Sequence, residues 1–140
     1  MKTLLWVSCL FMAVTITSCT KKNYYTTPSQ TIVTAVKSTD WTVDQAGTSL
    51  AVNLNMPEIT SNVAQNYDVS VGISYDDPTA ADFSFETIPE VYGGYSFSYL
   101  YGVTQGNGFL TLYVQTPSGG VPATNPANIE VKIVLTPSVQ

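Results

Sequence analysis

Between Tyr95 and Val114 the chain reads YSFSYLYGVTQGNGFLTLYV, and this stretch decides the fold. Tyr95, Phe97, Tyr99 and Tyr101 fall on one face of an extended chain. Beyond a Gly-rich break, Leu110, Leu112 and Val114 alternate with Thr111 and Tyr113. A period of two is the signature of a strand with one face buried. Gly106-Asn107-Gly108 lies between the two runs, and Asn-Gly flanked by alternating apolar residues is a strong short-range hairpin signal. The expectation is two antiparallel strands, near 95–102 and 109–115, turning at Asn107-Gly108.

The same alternation recurs on both sides of this hairpin. Leu50, Val52, Leu54 and Met56 oppose Ser49, Ala51, Asn53 and Asn55; Tyr67, Val69, Val71, Ile73 and Tyr75 oppose Asp68, Ser70, Gly72 and Ser74. Phe83 and Phe85 alternate with Asp82, Ser84 and Glu86, and Ile129, Val131, Ile133 and Leu135 with Glu130 and Lys132. With Thr31 to Val36 these make about seven strands. Gly93-Gly94 and Ser118-Gly119-Gly120 supply further turns. One short helical piece is expected over 57–65, with Pro57 at its first position and Ile59 and Val63 on one face. Short strands without βαβ spacing predict an all-β fold, an antiparallel, immunoglobulin-like β-sandwich. The longer 116–127 connection suits a crossing between sheets; a closed barrel is the alternative.

Composition bounds the function. At 140 residues, 44% hydrophobic, the chain holds one domain. Ten acidic against five basic residues, with no Arg, exclude a phosphate-binding face, so nucleic acid is not an expected partner. There is no His, which removes imidazole acid–base work, His-containing triads and His-liganded zinc. Neither common Gly-rich phosphate loop occurs.

The N-terminus supplies an address. Lys2 precedes an apolar run, Leu4 to Ile16, of signal-peptide length and well short of the roughly 20 residues that span a bilayer. Ile16-Thr17-Ser18-Cys19 then resembles a bacterial lipobox, with Ile in place of the usual Leu, and implies lipidation of Cys19. An ordinary secretory signal with an incidental Cys is the alternative. Cys9 lies inside the discarded segment, so Cys19 is the sole thiol of the mature chain, and a lipid would use it up. Residues 1–18 are therefore read as a signal peptide, 19–30 as the lipidated Cys and a polar tether containing Tyr24, Tyr25 and Pro28, and 31–140 as one β-sandwich domain. A lipid on Cys19 makes the membrane a partner that holds the protein without being crossed. The expected location is the cell envelope, at the outer membrane, with the periplasmic or the surface face left open.

The order of features is itself informative. Trp41, then Met56-Pro57-Glu58-Ile59-Thr60, an alternating strand, Ile88-Pro89, the aromatic hairpin and a terminal Ile129-Glu130-Val131-Lys132-Ile133-Val134 together resemble small β-sandwich lipoproteins of the Bacteroidota type. The resemblance implies an anchored sandwich and no particular activity. In that group acidic residues often follow the lipidated Cys at the cell surface; Lys21 and Lys22 stand there in this chain.

Candidate sites follow from what remains. Asp76, Asp77 and Asp82, in one Pro-containing segment, are the best carboxylate cluster for a metal or for glycoside chemistry, and they read equally as a solvated turn. Asp40 and Asp44 flank Trp41 in the same way. Trp41, Tyr92 and Tyr113 lie out of phase or in turns and are the candidate ligand-binding rings, against a reading as core or cross-strand pairs. No catalytic residue and no cofactor is expected. The leading reading is a non-catalytic envelope lipoprotein, structural or protein-interacting; the alternatives are a glycan-binding accessory lipoprotein and a small carboxylate-dependent hydrolase. A flat aromatic strip beside Asn or Asp would favour sugar, a bare strand edge or apolar patch a protein, and two close carboxylates in a deep cleft an enzyme.

Overall fold

A computed structural model describes residues 28–138. The signal segment, Cys19 and most of the tether lie outside the described residues. Among those described are nine strands: β1 (Gln30–Val36), β2 (Thr42–Val43), β3 (Leu50–Asn55), β4 (Tyr67–Ser74), β5 (Glu86–Thr87), β6 (Glu90–Tyr92), β7 (Tyr95–Thr104), β8 (Asn107–Gln115) and β9 (Ile129–Pro137). They form two sheets, ordered β1-β9-β4-β5 and β2-β3-β8-β7-β6, with every pairing antiparallel. The fold is an all-β sandwich. The 116–127 connection does carry the chain from one sheet to the other, between β8 and β9.

Period two explains the layering. Val52, Phe97, Leu110, Leu112 and Val114 from one sheet and Val69, Val71, Ile73, Val131, Ile133 and Leu135 from the other are all buried in a single cluster. Each such side chain taken from water contributes about 1.5–3 kcal/mol. Of the aromatic row, Phe97 is fully buried and Tyr95, Tyr99 and Tyr101 pack against the cluster half-buried. The Tyr99 hydroxyl spans the layers and donates to the Val69 carbonyl at 2.7 Å.

Three local expectations are corrected. First, the hairpin turns two residues early. Thr104 pairs with Asn107, so Gln105 and Gly106, at φ 51° and 81°, are the turn, and Asn107-Gly108 belongs to β8. Both central residues take positive φ, as a turn matched to strand twist requires. Gly108 serves space instead: a Cβ there would collide with the carbonyl oxygens of Met56 and Ile59. Second, α1 spans Ser61–Asn66 and does not begin at Pro57. A turn closed by Ile59 N–H on the Met56 carbonyl precedes it, and Thr60 caps it by accepting from Val63 N–H at 3.3 Å. Third, Phe83 and Phe85 form no strand of their own. They lie in the loop before β5, edge to face at 5.0 Å, with Phe85 against Gly72 and beneath the Lys132 ammonium at 4.4 Å.

Candidate functional site

The two outer faces of the sandwich differ in kind. On the four-stranded sheet, Glu130 and Lys132 point outward between buried neighbours, and Asp68 points outward beside buried Val69. On the five-stranded sheet, the sole charged residue in any strand is Glu90, which is in register with inward-facing Phe97 at the sheet edge. The outward positions of β3, β8 and β7 carry no charge. Asn53 and Asn55 stand on β3, Phe109, Thr111 and Tyr113 on β8, and Ser98 and Leu100 on β7. Register sets Tyr113 between Ala51 and Ser98, and Thr111 between Asn53 and Leu100. Leu100 is 53% exposed and Val91, at the β6 edge, 64%.

Two shallow depressions mark this face. One, of about 410 Å³, is lined by Asn53, Asn55, Thr104, Asn107, Phe109 and Thr111, together with Leu54 and Gly108. The other, of about 520 Å³, reaches from Asn53, Thr111 and Tyr113 to the turn at Asp44–Ala46. Thr111 Oγ1 donates to Asn53 Oδ1 at 3.3 Å where the two meet. Asp44, at the far rim, is committed to its own turn. Its carboxylate accepts from the N–H and hydroxyl of both Thr48 and Ser49, led by the Thr48 N–H, and these bonds hold it below its ordinary pKa.

The residues singled out from sequence separate. Trp41 is no surface ring: it is 4% exposed, sits in the core and meets Phe97 edge-on at 6.4 Å. Its indole N–H is buried with no hydrogen-bond partner among the described residues. Tyr92 is exposed and stacks on Tyr75 at 4.1 Å. Tyr113 is half-exposed on the uncharged face. Asp76, Asp77 and Asp82 do not converge, and among the described residues no group of three or more His, Cys, Asp or Glu is placed to hold a metal ion. The reason is local. Asp76 accepts from Ser84 N–H and hydroxyl, Asp77 from Thr79 N–H and hydroxyl, and Asp82 is exposed. Asp40 likewise turns back to accept from Lys37 N–H at 2.9 Å.

One carboxyl pair escaped the sequence reading. Glu86 and Glu90 approach across the link from β5 to β6, and the Tyr75 hydroxyl donates to Glu90 at 3.2 Å. Partial burial, then hydrogen bonding and repulsion from Glu86, raise the Glu90 pKa; burial, then Glu90, raises that of Tyr75. The pair lies on a surface strap, with Glu86 exposed and Glu90 half-buried. The uncharged face had a legible signal in the polar positions of β3 and β8, but nothing local in sequence joined those two runs. No protein-family profile, curated protein or solved structure matches the chain.

Proposed function

We propose that the protein is a non-catalytic, lipid-anchored protein of the cell envelope that works by binding. A lipid on Cys19 holds it at the outer membrane, residues 20–30 act as the tether, and the outer face of the five-stranded sheet is the contact surface. One observation carries the reading: in a chain with ten acidic residues, this face presents Leu100, Tyr113 and Phe109 among amides and hydroxyls with no outward charge. Ordinary solvated faces are interspersed with charge, and an uncharged face with half-exposed rings and an exposed apolar side chain is the kind that contacts partners. The absence of His from the sequence and the open setting of Glu86 and Glu90 support binding over catalysis.

The test is a photo-crosslinking residue placed at Leu100 or, on the opposite sheet, at Ser70, in cells making the full chain. Specific adducts at position 100 and none at position 70 are expected. Equal adducts from both positions, or none from either, would overturn the assignment of the face.

A further inference from the structure

We propose that the strip along β3 and β8 is a binding site for an uncharged oligosaccharide; the proposal rests on the outer face being the working surface, and it names the ligand class. The two depressions lie end to end on this face, sharing the hydrogen-bonded pair Asn53 and Thr111, and together reach from the β7–β8 hairpin to the Asp44 turn. Phe109 and Tyr113 stand four residues apart on β8, hence about 13 Å along the strand. That is room for several sugar rings in an extended chain.

The rings are set to receive a sugar face. Phe109 leans across onto β7, where two of its ring atoms lie 3.3 Å from the place a Gly102 Cβ would take. The ring thus meets Gly102, its register partner on β7, by its edge. Tyr113 has Ala51 and Ser98 as its lateral neighbours, and both are too small to stand above it. The electron-rich face of such a ring attracts the weakly positive C–H groups of a pyranose, while the apolar contact area excludes water.

The polar groups complete the match. Asn53 accepts from Thr111 through Oδ1, which leaves its NH₂ uncommitted, and the exposed Asn55 amide makes no side-chain hydrogen bond to the described residues. The two amides stand two residues apart on one face of β3, each offering a donor and an acceptor. Sugar hydroxyls are donors and acceptors at once, and a row of amides beside a flat ring serves them. The missing charge selects among glycans. With no cation on the face and a net charge of −5 for the chain, a uronate, a sulfated glycan or a phosphate finds repulsion and no counter-charge.

The experiment titrates the intact mature lipoprotein, in detergent micelles, against neutral gluco-, manno- and xylo-oligosaccharides, with oligogalacturonate and heparin fragments as charged probes. Saturable binding of a neutral series is expected, unchanged by salt because no ion pair forms. Tyr113→Ala and Asn53→Ala should each weaken it about tenfold or more, and Ser70→Ala, exposed on the other sheet, should leave it unchanged. Melting curves of each variant separate lost binding from lost folding. Preference for the charged probes, or binding indifferent to both face variants, would overturn the proposal. Failure of all the neutral glycans, with crosslinks still formed at position 100, would sink the sugar and leave a protein partner on the same face. Failure of both assays would sink the face itself.

Discussion

Gly108→Ala should be among the most damaging single-methyl changes in the protein. The added Cβ meets the carbonyl oxygens of Met56 and Ile59, and neither is the far end of a flexible side chain that can swing away. Either β8 strains or the Met56–Ile59 segment lifts off it. Lifting breaks the hydrogen bond from Met56 N–H to the Gly108 carbonyl, 2.9 Å long, and unseats Ile59, which is 0% exposed. Overpacking costs about 1–3 kcal/mol, a lost buried backbone hydrogen bond about 1, and partial exposure of an Ile about 1 more. The sum, about 4 kcal/mol, is a large part of the roughly 5–15 kcal/mol that hold a domain folded. At about 4 °C per kcal/mol it lowers Tm by about 15 °C. The measurement is thermal unfolding by far-ultraviolet circular dichroism beside two controls. Gly106→Ala, at φ 81°, should cost about 1 kcal/mol, and Asn107→Ala, exposed and outside the turn, less than about 0.5. A Gly108→Ala protein that melts with the wild type would refute the steric argument. An Asn107→Ala protein less stable than Gly108→Ala would put the turn back at Asn107-Gly108.

Trp41→Ala should cost about 3–5 kcal/mol, and Tyr92→Ala less than about 1, because the first empties a core site and the second unstacks a surface pair; urea unfolding of both decides it. In the mature chain the Trp41 fluorescence should be blue-shifted and shielded from iodide, and a solvent-like spectrum would place the ring outside the core. Glu90 has a raised folded pKa, so its stabilising contribution is present below the ordinary Glu value of 4.5 and lost as pH climbs through the folded value. Glu90→Gln should therefore flatten the fall of Tm as pH rises above the ordinary Glu value, and an unchanged slope would show that neither burial nor Glu86 raises the Glu90 pKa in the folded protein. Cys19→Ser should move the protein from the membrane to the soluble fraction, whereas an unmodified Cys19 in the mass spectrum of the native N-terminus would remove the anchor.

Strand content was legible because period two follows from backbone geometry alone: β3, β4, β7, β8 and β9 all lie on their alternating runs. Glycine was harder to read. A Gly that supplies positive φ and a Gly that supplies space are the same letter, and Asn107-Gly108 carries the turn signal while Gln105-Gly106 makes the turn. Trp41 misleads for a related reason. It lies outside any alternating run, and it is buried because the segment between β1 and β2 folds inward against Phe97, a residue 56 positions away. The site shows the same boundary. The outward residues of β3 and β8 could be read off each strand, but their adjacency joins Asn53 to Thr111 across 58 positions, and local pattern carries no record of such a pairing.

Three of the four terminal strands of the sandwich are very short. Unpaired edge groups invite strand addition unless they are shortened or covered. In this protein β2 and β5 are two residues long and β6 three. Along β4, beyond the reach of β5, the Val69 carbonyl accepts from the Tyr99 hydroxyl and the Val71 carbonyl from Ile88 N–H. β1, seven residues long, is the longest of the four terminal strands, and β7 has no strand partner on its outer side beyond the reach of β6. β1 is also the strand that the tether enters. On the proposed anchoring, Gln30 lies eleven residues from Cys19, at most about 40 Å of fully extended chain. β1 therefore puts one edge of the four-stranded sheet at the point where the segment from Cys19 enters the domain. The uncharged face belongs to the opposite layer, away from that entry point on β1.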